Sequence, residues 1–316
     1  MRLHRFEFRA MASSHELLLA GTDAMLAAHV AEAAIADVER IEAKYSRFRH
    51  GSLVSRINRS AGAAAIEIDA ETAALLDYAD VCHRESGGRF DVTSGALAEL
   101  WDFRRDPPRV PADDEIAAAL ATVGWASVER GARSLRLPRP GMRIDLGGIG
   151  KEYAADRVAT IAADAGVAHG FVNLAGDVRV WGGRPDGSPW RVGIRDPNGA
   201  SAPIASLDLL DGAVATSGDY ERSFVVDNVR YCHLIDATTG RPVGHWRSMS
   251  VVAPLCVAAG GGATIGMLLC AAAPGWLDAQ GLGWLGVDAG GVVRRPAASE
   301  ASASAASVPP ANSQPQ

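Results

Sequence analysis

The sequence has little lysine and little cysteine, and it lacks a long apolar run. Only two of its 31 basic residues are lysines, Lys44 and Lys151, and its four cysteines form no CxxC pair. Cysteines spaced in this way predict neither a zinc site nor a disulfide framework. The longest apolar stretch, near residues 263–273, is well short of the roughly 20 residues that a membrane-spanning helix needs. The N-terminus shows neither a signal-peptide nor a lipobox pattern, so we expect a cytoplasmic protein without a membrane segment.

Composition and net charge narrow the class of protein further. The 316 residues include 31 basic and 37 acidic side chains, giving a net charge of −6, and 48% of the residues are hydrophobic. A chain this apolar and this weakly charged is expected to fold around a core. Because nucleic-acid binding depends on clustered positive charge, we expect no nucleic-acid partner.

The spacing of apolar residues predicts an α+β fold. Helical spacing is found in residues 23–45, 69–85 and 151–166, a glycine-rich helix start is expected at Gly260–Gly262, and short strands follow residue 127. Since helices and strands do not alternate regularly, we expect mixed, largely antiparallel sheets with packed helices. We assign residues 1–296 to one domain. Residues 297–316 are rich in Ala, Ser and Pro and are expected to be a disordered tail.

Five glycine-containing segments are candidates for ligand binding. Each places Gly beside Asp, Thr, Ser or His where a predicted strand ends. Such turns leave backbone N–H groups free to contact a phosphate, and glycine permits a close approach. The segments are Gly87–Gly95, Asp145–Lys151, Asn173–Asp177, Thr216–Tyr220 and His233–Gly240.

The segment Asp145–Lys151 has the strongest signal. It leads from a predicted strand, Arg143–Leu146, into a helix, so Lys151 and the glycines lie near a helix N-terminus, where anions are favoured. A nucleotide phosphate is the natural ligand. The segment is not a Walker loop, because Glu152 follows the lysine where that motif requires Ser or Thr. Taken alone, such a loop is more often a tight strand-to-helix connection than a ligand site.

His233 is the candidate proton acceptor. It lies in a predicted strand, Arg230–Ile235, and is followed by Asp236 and the turn Thr238–Gly240. An imidazole that titrates near neutrality can take a proton from an attacking hydroxyl. A histidine in a strand is nevertheless usually a packed or surface side chain without such a role.

The order of these segments is what identifies a family. The chain resembles the FAD:protein FMN transferase family, known as ApbE, from about Phe6 to Val293. Seven segments occur in the order that the family shows, which makes the combination specific although each segment alone is weak. They are Ala10–Ser14, Tyr45–Phe48 with Ser52–Asn58, Gly88–Gly95 with Leu100–Phe103, Ile144–Ala154, Val172–Arg179, Ala215–Tyr220 and His233–Pro242.

The resemblance implies an α+β enzyme that binds FAD as its substrate together with Mg²⁺. Such an enzyme transfers the FMN half of FAD to a Thr or Ser hydroxyl in the flavinylation motif of an acceptor flavoprotein, making a phosphoester and releasing AMP. Carried over by position, His233 is implied as the base, and the metal is implied at the backbone carbonyl of Gly148 and at Thr264. The residues implied to line the FAD site are Met11, Phe48, Arg89, Phe90, Asp91, Asp145, Lys151 and Leu234.

The sequence departs from the family at the metal site. The family places an Asp four residues before its metal-binding Thr, whereas this chain has Gly260 before Thr264. Because Mg²⁺ relies on charged oxygen ligands, we expect weaker Mg²⁺ binding in the absence of FAD than in a typical member. Two alternatives therefore stay open beside FMN transfer. One is an FAD pyrophosphatase that makes FMN and AMP with water as acceptor, and the other is a protein that binds FAD without catalysis.

Overall fold

The computed structural model describes residues 2–296, so the tail expected at 297–316 lies outside the described residues. The helices are α1 (Ala24–Tyr45), α2 (Leu53–Arg59), α3 (Ala70–Glu85), α4 (Gly95–Leu100), α5 (Asp113–Leu120), α6 (Gly150–Asp164), α7 (Cys256–Leu268) and α8 (Ala273–Ala279). The strands of the first half are β1 (Leu3–Ala10), β2 (Ser13–Ala20), β3 (Ile66–Glu67), β4 (Glu129–Gly131), β5 (Ser134–Arg136), β6 (His169–Leu174) and β7 (Asp177–Trp181). Those of the second half are β8 (Trp190–Ile194), β9 (Ala205–Leu209), β10 (Gly212–Gly218), β11 (Ser223–Val226), β12 (Val229–Cys232), β13 (Ile235–Asp236), β14 (Arg241–Pro242), β15 (Trp246–Ala253), β16 (Gly283–Asp288) and β17 (Val293–Arg294).

An eight-stranded sheet forms the centre of the molecule. Its strand order is β1-β2-β6-β7-β10-β15-β16-β17, and every neighbouring pair is antiparallel. The smaller sheets are antiparallel too. The expected α+β class with largely antiparallel sheets is confirmed.

Two apolar layers cover this sheet. Helices α1, α6 and α7 contact one another and the sheet, and their buried side chains belong to the larger core. The β8–β9 hairpin contributes Trp190 and Leu207 to a second core that includes Val180 and Val287 of the sheet. No helix within residues 2–296 has the length and apolar character needed to cross a membrane.

The predicted helix boundaries hold where a capping side chain is local. Asp23 caps α1 by accepting from the backbone N–H groups of Met25 and Leu26, and Asp69 caps α3 by accepting from that of Thr72. Such acceptors satisfy N–H groups that the helix itself leaves unpaired. The predictions for residues 23–45 and 69–85 are therefore confirmed to within a residue.

Helix α7 begins earlier than the sequence indicates. The predicted start at Gly260–Gly262 is wrong, because the helix already begins at Cys256. Its cap comes from another helix: the two carboxylate oxygens of Asp156 in α6 accept from the N–H groups of Cys256 at 2.8 Å and Val257 at 2.9 Å. A cap supplied from a hundred residues away leaves no local signal.

The predicted strand Arg143–Leu146 is also wrong, since only an isolated bridge from Ser94 to Arg143 forms there. The backbone of Ile144 is instead bound by one side chain. Its N–H donates to the Asn58 Oδ1 at 2.7 Å, and its carbonyl accepts from the Asn58 Nδ2 at 3.0 Å. Asn58 thereby fixes the segment that leads into Asp145.

Replacing Asn58 by alanine is expected to lower the free energy of unfolding by about 1–3 kcal/mol, because both backbone groups of Ile144 lose their partner. Urea denaturation followed by circular dichroism measures the change. The matched control is Asn198→Ala, an exposed asparagine, which should change stability by less than about 0.5 kcal/mol. Equal losses in the two variants would contradict the anchoring role of Asn58.

Candidate active site

The loop that starts at Asp145 is held by three interactions of that one residue. The backbone N–H of Asp145 donates to the Val92 carbonyl at 2.7 Å. Its Oδ1 accepts from the backbone N–H of Gly147 at 2.8 Å, and its Oδ2 lies 3.1 Å from the Nε of Arg47. Gly148 lies against the ring of Phe90. A Cβ added to Gly148 would lie 3.3 Å from that ring. The glycines therefore let the chain turn tightly beneath Phe90 before α6 begins.

Lys151, in the first turn of α6, binds across to the β6–β7 turn. Its ammonium donates to the Oδ2 of Asp177 at 2.6 Å, and Asp177 is buried at the start of β7. Burial alone would lower the pKa of Lys151, but Asp177 and Glu152 outweigh it and raise that pKa above its ordinary value. The ammonium is therefore a permanent positive charge, and it joins two of the five candidate segments.

His233 lies in the break between β12 and β13, so its predicted position within a strand is wrong. Its backbone N–H donates to the Arg222 carbonyl at 3.0 Å, across the β11–β12 hairpin. The imidazole Nδ1 is buried without a hydrogen-bond partner among the described residues. Burial, followed by the positive charges of Arg222 and Lys151, lowers the pKa of His233 to about 4. The side chain is consequently neutral near pH 7.

Aromatic packing anchors the hairpin that leads to His233. The rings of Phe224 and Tyr231 stack on Trp101 at centroid distances of 6.4 and 5.4 Å. At the hairpin tip, Asp227 and Asn228 both have positive φ, as a two-residue turn of this kind requires. Asp-Asn is a residue pair that favours such a turn, whereas nothing local in the sequence marks the aromatic surface beneath it.

Arg222 is a site residue that the sequence does not reveal. Although its side chain keeps solvent access, partial burial lowers the pKa of its guanidinium, Asp145 opposes the shift, and Arg47 and Arg104 add to it. Cations that disfavour one another in this way favour an anionic ligand. The available signal is weak, because Arg222 stands just beyond the segment Thr216–Tyr220 in a chain whose surface charge is mostly arginine.

Phe48 presents an aromatic face beside these cations. Its side chain is 65% exposed, and the guanidinium carbons of Arg47 and Arg104 lie 4.5 and 5.0 Å from the ring centroid. Exposed aromatic rings with flanking arginines suit the stacking of a planar ligand ring.

The segment Gly87–Gly95 contributes mainly internal contacts. Arg89 forms an ion pair with Asp236, and its carbonyl accepts from the backbone N–H of Ala237 at 3.0 Å, so this segment is joined to His233–Gly240. Asp91 is buried, and its carboxylate accepts from the backbone N–H groups of Thr93 at 2.7 Å and Trp125 at 3.0 Å. These bonds fix the loop that carries Phe90.

The remaining two predicted FAD residues, Met11 and Leu234, each lie between two strands. Met11 has a positive φ of 48° in the β1–β2 turn. That turn lies at the same end of the sheet as the β6–β7 turn, because His15 of β2 pairs with Leu174 of β6. Leu234 is buried next to His233, and its carbonyl accepts from the Val243 N–H at 2.9 Å.

Helix α7, which carries Thr264, lies against a further carboxyl group, that of Glu152. The Oγ1 of Thr264 is 2.9 Å from the Oγ of Ser217, which links α7 to the segment Thr216–Tyr220. One helical turn earlier, a Cβ added to Gly260 would lie 2.4 Å from the Cγ and 2.8 Å from the Oε1 of Glu152. Glu152 is buried, and its Oε2 has no hydrogen-bond partner within residues 2–296. Burial raises the pKa of Glu152, and the charge of Asp177 adds to the rise.

The side chains of this region supply only part of the ligand shell that a hard cation needs. Within the described part of the chain, no three His, Cys, Asp or Glu side chains form a ready metal cluster. A hydroxyl, a backbone carbonyl and one orphaned carboxylate oxygen are nevertheless oxygen donors of the kind that Mg²⁺ accepts when a phosphate completes its shell.

Comparison with known proteins places the chain in a family. The profile of the ApbE family matches residues 11–283. An FAD:protein FMN transferase of Vibrio cholerae is 32% identical over 231 residues, which cover 72% of this chain and 69% of the relative. One of Salmonella typhimurium is 29% identical over 263 residues, which cover 81% and 75%.

Solved structures agree with this placement. A crystal structure of an ApbE protein from Thermotoga maritima has a TM-score of 0.85 and 34% identity, covering 93% of this chain and 97% of that one. The flavin transferase ApbE of Vibrio cholerae has a TM-score of 0.81 and 26% identity, covering 94% and 97%. The chain belongs to the ApbE family.

Proposed function

We propose that this protein transfers the FMN moiety of FAD to a Thr or Ser hydroxyl of an acceptor flavoprotein. The transfer forms a phosphoester, releases AMP and requires Mg²⁺. The observation that carries the proposal is the convergence of the glycine-containing segments: they meet around Lys151, Arg222 and a neutral His233. The named function of the relatives supports the same reaction.

The diphosphate of FAD binds against the cations of this site. Lys151 lies in the first turn of α6, where backbone N–H groups and the helix dipole add to its charge. Arg222 and Arg47 supply further positive charge beside Asp145. Phe48 offers its exposed face to one of the two ring systems of FAD. Phosphoryl transfer depends chiefly on such positioning and charge stabilisation.

His233 accepts the proton of the acceptor hydroxyl. As the hydroxyl oxygen bonds to the FMN phosphorus, the phosphorus–oxygen bond to the AMP half breaks, and the proton held on His233 passes to the departing AMP phosphate. In the free protein burial, together with the two flanking cations, makes the imidazole a weak base. The bound diphosphate neutralises those cations, so the pKa of His233 rises toward neutrality when FAD is present.

Mg²⁺ would be held by the carbonyl of Gly148 and the hydroxyl of Thr264 together with the FAD phosphates, and it would offset the charge that develops on the phosphate oxygens. Ser217, which bonds Thr264 at 2.9 Å, orients that hydroxyl.

His233→Ala is expected to retain FAD binding but to lose transfer by about 10²–10⁴-fold, the usual contribution of a general base. The variant and the native chain are incubated with FAD, Mg²⁺ and a peptide that carries a flavinylation motif, and the peptide mass is measured. His29→Ala, an exposed histidine of α1, serves as control and should transfer at the native rate. Transfer by His233→Ala at that rate would mean that another group is the base.

The same incubation separates the alternative activities. A flavinylated peptide with equimolar AMP is the expected product. Free FMN with AMP would identify a pyrophosphatase, and intact bound FAD would identify a binding protein without catalysis. Absence of FAD binding would contradict the proposed function altogether.

We also expect His233 of the free protein to titrate near pH 4 and to shift upward when FAD binds without metal. Histidine-selective ¹⁵N NMR in EDTA, assigned with His233→Asn, measures both midpoints. Because the folded pKa lies below the unfolded value of 6.5, this residue favours folding at neutral pH, and its contribution falls as the pH drops from 6.5 to 4. A midpoint at 6.5 in the free protein would contradict the buried, cation-flanked site.

A further inference from the structure

We infer that Glu152 of α6 supplies the carboxylate for the cation site at α7, in place of the side chain that Gly260 lacks. This inference rests on the proposed function, because the cation is the one that accompanies FAD. It assigns a metal-binding role to a residue on a different helix from Thr264.

The side chain of Glu152 fills the space that a side chain at position 260 would need. A Cβ built on Gly260 would lie 2.4 Å from the Cγ, 2.9 Å from the Cδ and 2.8 Å from the Oε1 of Glu152. Any side chain at position 260 would therefore project into the space that the Glu152 carboxyl group fills. Gly260 and Thr264 are four residues apart, on one face of α7. Glu152 thus brings a carboxylate to the same face of the helix as the Thr264 hydroxyl.

One oxygen of the Glu152 carboxyl group lacks a hydrogen-bond partner among the described residues. Glu152 is only 6% exposed, yet its Oε2 has no partner among the described residues. Buried polar atoms are nearly always paired, since an unpaired one costs free energy. A bound cation satisfies this oxygen, and a solely structural role for the side chain does not.

The charged groups around Glu152 are already paired with one another or with other groups. Lys151 is already bonded to Asp177 at 2.6 Å. Asp156 is occupied by the N-terminus of α7 and by Arg179, whose Nε lies 3.4 Å from its Oδ1. The remaining carboxylate, Glu152, lacks such a partner for its Oε2. A divalent cation between this carboxylate and the FAD phosphates balances the cluster.

This assignment changes the expectation of weak metal binding in the free chain. That expectation assumes that Gly260 leaves the site one carboxylate short. Because Glu152 fills the space beside Gly260, the site keeps one carboxylate. That carboxylate comes from α6 instead of α7.

The test measures metal affinity instead of activity. Mn²⁺ is titrated into the full chain with saturating FAD and no acceptor, and free Mn²⁺ is counted by EPR. Glu152→Gln keeps the shape of the side chain but removes its charge, so it should weaken Mn²⁺ binding by more than about tenfold, since even outer-shell partners contribute about 10–100-fold. Glu32→Gln, the same change on the exposed surface of α1, should leave the affinity within about twofold of native. A native affinity in Glu152→Gln overturns the inference.

A relocation of the carboxylate tests the shared volume. Gly260→Asp alone should lower the melting temperature, because the new Cβ collides with Glu152. The double variant Glu152→Gly with Gly260→Asp removes the collision, so it should recover the melting temperature and bind Mn²⁺ within about fivefold of native, a small part of the loss that Glu152→Gln shows. A double variant that folds but does not bind Mn²⁺ overturns the inference, even if Glu152→Gln fails to fold.

Flavin fluorescence in EDTA keeps the two proposals apart. If FAD binds to the native chain but Mn²⁺ affinity is independent of Glu152, only the present inference fails. If the native chain does not bind FAD, the proposed function fails.

Discussion

The ion pair between Lys151 and Asp177 is the constraint on which the site depends. Lys151 belongs to the loop and helix that follow Asp145, whereas Asp177 begins a strand of the central sheet. Their contact, at 2.6 Å, fixes the N-terminus of α6 against the start of β7, an interior strand of that sheet. It also sets the electrostatics on both sides, because the Lys151 charge acts on His233 as well as on Glu152. One half-buried ammonium therefore connects the proposed base with the proposed metal carboxylate.

A group of arginines and a group of carboxylates lie around this pair. Burial, followed by the charges of Arg222 and Lys151, lowers the pKa of His233. Arg47 and Arg104 flank the exposed ring of Phe48 and add to the lowered pKa of Arg222. Glu152 and Asp177 lie toward α7. A diphosphate with a divalent cation matches this arrangement, since its anionic oxygens meet the first group and its cation meets the second. Either part alone would leave one group of charges uncompensated.

The sequence predicts the elements whose signals are local and fails where partners are distant. Helices α1 and α3 are predicted because Asp23 and Asp69 stand beside them as caps. The start of α7 and the loop before Asp145 are mispredicted because Asp156 and Asn58 act from far along the chain. The glycine-containing segments predict the proposed site, but nothing local marks Arg222 or the orphaned oxygen of Glu152. Those properties exist only after folding has brought the charges together.

The three consecutive glycines of α7 allow side chains from other elements to approach the helix closely. Three consecutive glycines in a helix interior cost roughly 1 kcal/mol each relative to alanine. Each of them, however, faces a group that a methyl would displace: Glu152 at Gly260, the Tyr78 hydroxyl at Gly261 and Val251 at Gly262. The Tyr78 hydroxyl in turn donates to the Val257 carbonyl at 2.7 Å, so the close approach returns a hydrogen bond to the helix. At Gly260 the missing side chain leaves room for the Glu152 carboxyl group, the proposed metal ligand.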